Sequence, residues 1–251
     1  MTCRLGVVAL GDSITNGGGE LQYGVALQSW ALWTARGLGL PYTGVASDGA
    51  RMTDVLGEQL PAVDAQAGAA WDLGCLYIGV NDVRALDFDE AAFAGGHAEA
   101  LGFLSERCER VLAVTIPTDL GRPLAGHVAE GNRAIERNAR AAGALLLDLR
   151  DFGARNLVMA DHVHPTALGQ VAIAERALDT LAAAGLTVRA RPSAMIAPSE
   201  PGPLRRLQGD VTYAYRHAKV SARAAALIAR ALLQAESGRG GAPSRASRHG
   251  R

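Results

Sequence analysis

Two separated stretches carry residue types that could do chemistry together. Ser13 ends an apolar run in Gly11-Asp12-Ser13, and far along the chain lies Asp161-His162-Val163-His164-Pro165. A serine hydroxyl is a weak nucleophile until a base takes its proton, and the base must itself be held in orientation. Aspartate and histidine three positions apart, in a loop before a helix, can bring the Asp161 carboxylate onto one nitrogen of His164. The other nitrogen then faces Ser13. His162 competes for the same role, but its adjacency to Asp161 makes the folded-back contact harder. Pro165 fits the first position of the following helix. The chemistry implied is acyl transfer through an ester on Ser13. Negative charge on the acyl oxygen then requires placed donors. The Ser13 and Gly49 backbone N–H groups and the Asn81 amide are candidates. Gly49 lets the backbone approach a substrate without a Cβ in the way.

The elements that must position these groups are legible as alternating periodicities. Leu5–Leu10, Tyr42–Ala46, Asp72–Val80, Arg110–Ile116 and Ala144–Leu149 read as buried strands. Between them helical spacing predicts Tyr23–Gly37 closed by Gly37, Thr53–Leu60 stopped by Pro61, Asp89–Arg107 and Glu130–Ala142. A last helix, Thr166–Ala184, ends at Gly185. Near-continuous apolar strands alternating with helices predict a parallel sheet buried on both faces, hence an α/β protein built as a three-layer α/β/α sandwich. Crossovers are expected to be right-handed. Sites in such sheets lie beyond the C-terminal strand ends. Ser13, Gly49 and Asn81 follow the first, second and third strands, where that rule puts them.

With these residues in view, the chain resembles the SGNH (GDSL) hydrolase family. Gly11-Asp12-Ser13-Ile14, then Gly49, then Gly79-Val80-Asn81-Asp82, then Asp161-His162-Val163-His164 occur in the family's order. The resemblance spans residues 4 to about 185. It implies a flavodoxin-like sandwich with five parallel strands. It also implies that Ser13, Gly49, Asn81 and His164 are the family's four signature residues, with Asp161 orienting the base. Thr15 stands where a G-x-S-x-G elbow needs glycine, so the α/β-hydrolase nucleophile turn is absent. Gly17-Gly18-Gly19 lacks the Gly-Lys-Ser/Thr ending of a phosphate loop.

Formal net charge is zero, but it is unevenly spread. Residues 1–185 carry 13 Lys+Arg and 22 Asp+Glu, whereas residues 186–251 carry 12 and 3. A hydrolase domain over 1–186 is therefore expected to be followed by a Pro-rich strap over 187–209. A basic amphipathic helix over 210–236, capped by Asp210, and a disordered basic tail over 237–251 complete the chain. Arg216, Lys219, Arg223 and Arg230 form a basic stripe on that helix. Docking of the helix on the acidic body is expected, with a membrane surface or another anionic partner as the alternative. Cys3, Cys75 and Cys108 have no framework spacing and read as reduced thiols. No signal peptide is seen, and no apolar run approaches membrane-spanning length. A cytoplasmic enzyme is expected.

Three functions are weighed. The first is a serine esterase of small acyl esters, needing no metal or organic cofactor and no nucleic acid. The second is an acyltransferase that passes the same acyl group to a sugar or metabolite hydroxyl. The third is a non-catalytic binding module recruited by its basic helix. Arg51, Arg84 and the loop Glu20–Tyr23 are candidates to line the pocket.

Overall fold

The computed structural model of the chain describes residues 4–66, 68–120, 126–154, 156–199 and 202–239. Five strands, β1 (Val7–Gly11), β2 (Tyr42–Gly44), β3 (Trp71–Tyr77), β4 (Cys108–Val114) and β5 (Leu145–Leu147), form one sheet in the order β2-β1-β3-β4-β5. Every pairing is parallel, with Ala9 opposite Gly44 and Cys75, and Cys75 opposite Leu112. β1 is buried throughout, as its unbroken apolar sequence requires when helices cover both faces. One helical layer holds α2 (Trp30–Leu38) and α8 (Ala167–Ala183), which pack on each other. Gly37 lets them close up, since a Cβ there would lie 2.5 Å from Leu178 Cδ1. The other layer holds α6 (Glu90–Arg107), α7 (Val128–Ala141) and the helical stretch between β2 and β3. Trp30, Trp71 and Tyr77 are the bulkiest fully buried side chains. The strand order reverses between β1 and β3, and a crevice opens there beyond their C-terminal ends.

Several element boundaries differ from the sequence expectation, each for a local reason. The helix expected from Tyr23 begins only at Trp30, where Ser29 caps it by accepting from the Ala31 N–H. Before it, Tyr23 and Gly24 take positive φ (51° and 78°), so the segment turns and cannot be helical. Gly39, not Gly37, ends the helix in the left-handed conformation. The helix expected over Thr53–Leu60 starts at Met52 and runs past Pro61 to Asp64, as α3 (Met52–Asp54), a π-helical turn (Val55–Gln59) and α4 (Leu60–Asp64). Pro61 sits in the first turn of α4, where its missing N–H is tolerated. β3 and β4 begin earlier and end earlier than their apolar runs suggest, and β5 pairs over Leu145–Leu147 only.

The C-terminal helix, α9, spans Pro203–Arg239 and so starts seven residues before Asp210, with proline at its first position. Asp210 lies inside the helix and is not its cap. Upstream, Arg189 and Ala190 donate their N–H groups to Gly37 O, a 3-10 turn covers Pro192–Met195, and Ser199 N–H bonds to Tyr23 O. Residues 200 and 201 of the expected strap, residues 240–251 of the expected tail, and Cys3 lie outside the described residues. Cys75 is a buried free thiol and Cys108 a half-buried one. Among the described residues no helix is long and apolar enough to cross a membrane.

Candidate active site

Ser13 is the first residue of α1 (Ser13–Asn16), directly after β1. Asp12 caps this short helix by accepting from the Ile14 N–H at 2.9 Å. An N–H at the first helical position has no intrahelical acceptor, so the Ser13 amide is available at the crevice. The turn is possible only because Gly11 precedes it. Its φ is 151°, and a Cβ there would lie 2.1 Å from Tyr77 O across the β1–β3 pair.

His164 arrives from the loop before α8. Its Nε2 lies 2.8 Å from Ser13 Oγ, and its Nδ1 lies 2.7 Å from Asp161 Oδ2. A carboxylate can only accept, so the Nδ1 proton points to Asp161 and Nε2 accepts from the serine hydroxyl. Asp161 is fixed in turn by its other oxygen, which accepts from the Val163 and His164 N–H groups at 2.9 and 3.0 Å. Desolvation pushes the Asp161 carboxyl up. The hydrogen bonds from His164 and Val163 outweigh it and hold the group below the usual carboxylate value. The Asp161 hydrogen bond raises the His164 imidazole above its ordinary 6.5, against a smaller opposing effect of burial.

His162 does not share this geometry. It occupies the left-handed region (φ 58°), and its Nε2 faces His217 Nδ1 of α9 at 3.0 Å. The loop reversal at His162 is what returns the chain so that His164, two residues on, meets Asp161.

Gly49 and Asn81 come to the same crevice. Gly49 has φ 77° in the loop after β2, is exposed, and has open space where a Cβ would sit. Its conformation, not crowding, selects glycine. Asn81 lies in α5 (Val80–Val83), whose cap Gly79 takes φ 118° against Phe93. Asn81 Nδ2 donates to Ala50 O at 2.9 Å, and Asn16 Nδ2 donates to Asp48 Oδ1 at 3.0 Å. The Gly49 loop is therefore tied on one side to the Ser13 helix and on the other to Asn81. Asp82 supports the same loop by accepting from the Met52 N–H at 3.0 Å.

Three buried polar residues build the site without standing out in the sequence. Gln59, 2% exposed, accepts from Gly11 N–H and donates to Gly11 O, both at 2.8 Å, and its Nε2 also reaches Ser47 Oγ at 3.4 Å. Gln170, fully buried, accepts from Trp30 N–H and donates to Ile14 O and Gly18 O. Asp12 is 1% exposed, and burial pushes its carboxyl up to about 7. The available signal was phase. Gln59 falls four residues after Val55 and four before Val63, and Gln170 falls in register with Ala167 and Ala174, so each occupies a core-facing helical position. Arg51 pairs with Asp87 at 3.2 Å, and the Arg84 charge acts on His164, lowering its affinity for a proton. Among the described residues no group of His, Cys, Asp and Glu side chains is arranged to hold a metal ion.

A serine, histidine and aspartate joined by hydrogen bonds, at the switch point of a parallel five-stranded sandwich, define a serine-hydrolase type of site. Residues 9–172 match the model of the GDSL-like lipase/acylhydrolase family, well over half of the chain. The chain belongs to this family and is a carboxylic ester hydrolase of the SGNH/GDSL type. Solved structures share the fold at low identity. An acetylxylan esterase from Geobacillus stearothermophilus superposes with TM-score 0.57 at 20% identity, covering 74% of this chain and 97% of its own. An alpha/beta hydrolase enzyme from the metagenome of Lake Arreo, Spain, gives 0.57 at 20%, covering 70% and 94%. A member of the lipolytic protein G-D-S-L family from Veillonella parvula DSM 2008 gives 0.56 at 20%, covering 69% and 96%. No curated protein matches the chain significantly.

Proposed function

We propose that the protein hydrolyses small acyl esters through an acyl-enzyme on Ser13. The observation that carries this reading is the relay from Ser13 Oγ through His164 to Asp161, with links of 2.8 and 2.7 Å. His164 Nε2 takes the hydroxyl proton as Oγ bonds to the ester carbonyl carbon. The carbonyl oxygen becomes an oxyanion, held by the Ser13 and Gly49 N–H groups and the Asn81 amide. When the C–O bond to the alcohol breaks, His164 gives its proton to the leaving oxygen. Water then attacks the acyl-serine with His164 again as base, and the carboxylic acid leaves as Ser13 regains its proton. Asp161 keeps the imidazole in the required tautomer and stabilises the imidazolium formed in both halves. Each of these steps uses side chains and backbone N–H groups of this chain together with one water. Cytoplasmic residence belongs to the same proposal, supported by the buried thiol of Cys75.

The test is p-nitrophenyl acetate turnover by the wild type and Ser13→Ala, with mass spectrometry of a covalent phosphonate adduct. Loss of about two orders of magnitude or more in turnover, with the adduct on Ser13, supports the reading. Retained turnover or labelling elsewhere overturns it. Adding sugar alcohols to the assay reports whether the acyl group passes to water or to an acceptor hydroxyl. Transfer exceeding hydrolysis would replace the hydrolase by an acyltransferase using the same residues.

A further inference from the structure

Helix α9 is 37 residues long. Among its described side chains Tyr213, His217, Val220 and Ser221 are half-buried and the others are exposed. His217 meets His162 of the catalytic loop and stacks with Tyr213, and Arg216 reaches Glu20 at 2.7 Å. Two further faces are turned outward. Leu204, Leu207, Val211 and Tyr215 follow one another at helical spacing and are 61–82% exposed. Ala218 and Ala222 continue the same stripe, also exposed. At 100° per residue, this stripe lies on the opposite side of the helix from the His217 face. Beside it run Arg216, Lys219, Arg223 and Arg230, all exposed.

Some of the other exposed large apolar side chains lie in loops that follow the C-terminal strand ends. Leu21 and Tyr23 follow α1, and Leu86 follows α5, both beyond the C-terminal strand ends. An exposed apolar stripe flanked by a basic one is the pattern of a helix lying in a lipid interface. We propose that α9 docks the enzyme on an anionic lipid surface. Charge complementarity selects this occupant. The basic charge is concentrated in residues 186–251 while residues 1–185 are acidic, so an anionic surface attracts the helix and repels the body. A second copy laid along the apolar stripe would bring two basic rows side by side. Since the inner face of α9 rests on the catalytic loop, docking holds that loop about 10 Å from the lipid, roughly one helix diameter. The inference does not depend on how Ser13 reacts.

The experiment is co-sedimentation of the full chain with vesicles of phosphatidylcholine alone or with phosphatidylglycerol added, across a salt series. Binding to the anionic vesicles that weakens with salt is expected, with little binding to the neutral ones. Combining Lys219→Gln, Arg223→Gln and Arg230→Gln should lower partition by roughly fivefold per charge, about a hundredfold together. Combining Leu204→Ser, Leu207→Ser and Val211→Ser should also release the protein. Both variants should keep wild-type p-nitrophenyl acetate turnover, which reports that they fold. The wild-type salt and lipid dependence stands independently of any variant. No sedimentation, equal binding to both vesicle types, or insensitivity to both variants would overturn the proposal. So would light scattering that shows a dimer lost in the serine variant, which would make the stripe a self-association seam.

Discussion

The side-chain amide of Gln59 brackets the peptide groups of Gly11, accepting from its N–H and donating to its carbonyl at 2.8 Å each. A π-helical turn, Val55–Gln59, delivers that amide. The Ser13 turn is thus held from a different segment of the chain, at the point where β1 leaves the sheet. Gln59→Leu takes from the buried Gly11 N–H its acceptor and leaves the Gly11 carbonyl with only the Ser47 N–H at 3.3 Å, a cost of about 1–3 kcal/mol. A fall in Tm of roughly 2–12 °C is expected by calorimetry. Gln59→Glu keeps the acceptor but opposes a carboxylate to the Gly11 carbonyl. Its stability should recover as the pH is lowered and the buried carboxyl gains a proton, whereas that of the leucine variant should not.

The imidazole of His164 must be neutral to act as base, and Asp161 raises its proton affinity. The acidic limb of the kcat/KM profile is therefore expected above pH 6.5, with activity rising as pH rises through it. Asp161→Asn removes the main cause of the shift, so the limb should move down. Turnover should drop by about a thousandfold because the tautomer is no longer enforced. An unmoved limb would mean that another group governs the profile.

Asp12 carries a different pH signature. Burial disfavours its charge and pushes the carboxyl up from its ordinary 3.8 to about 7 in the folded protein. A raised carboxyl binds its proton more tightly folded than unfolded. Its stabilising effect is full below about pH 4 and is lost as pH rises towards 7, by up to a few kcal/mol. Asp12→Asn can still cap α1 but does not ionise. Urea unfolding at a series of pH values should show the wild type losing stability relative to this variant between pH 4 and 7. Parallel curves would place the titration elsewhere.

Asn81 and Gly49 are expected to fail in different ways. Asn81→Ala removes both the tie to Ala50 O and the amide proposed as an oxyanion donor. A fall in kcat of about 10²–10³ with a modest change in KM is expected. Gly49→Ala meets no atom within 4 Å, but φ 77° strains any side chain. It should cost about 1 kcal/mol and displace the loop donor. Single-turnover kinetics separate the two effects.

His162→Gln tests which histidine of the loop is the base. Its ring faces His217, not Ser13, so turnover should stay within about threefold of wild type, since the changed contact lies outside the relay. His164→Gln should lose two or more orders of magnitude. Equal losses would return His162 to the site.

Much of this was written in local sequence. Alternating apolar runs and helical spacings determine a parallel α/β sandwich, because strands covered on both faces must be apolar along their length. Gly11 and Gly49 mark turns by their position after expected strands, whereas Gly79, with φ 118°, falls inside the expected third strand and its turn is not legible there. Asp161 and His164 are near enough in sequence for their contact to be inferred from spacing alone. Where pairing partners are remote, sequence periodicity is silent. The link from Ser13 to His164 crosses 151 positions, and only the packing of α8 on α2 and β5 brings its leading loop to the end of β1. Gln59 and Gln170 look like polar interruptions in apolar helices. Their value exists only once the folded backbone presents unpaired N–H and carbonyl groups to them. The π-turn that carries the helix past Pro61 has no local signal in the sequence, while α9 starts at Pro203, where proline suits a first helical turn. The sequence by itself determined which groups could react. The fold decided that Ser13, His164 and Asp161 meet, because hydrogen bonds between distant segments form only when the sheet has brought its C-terminal strand ends to one crevice.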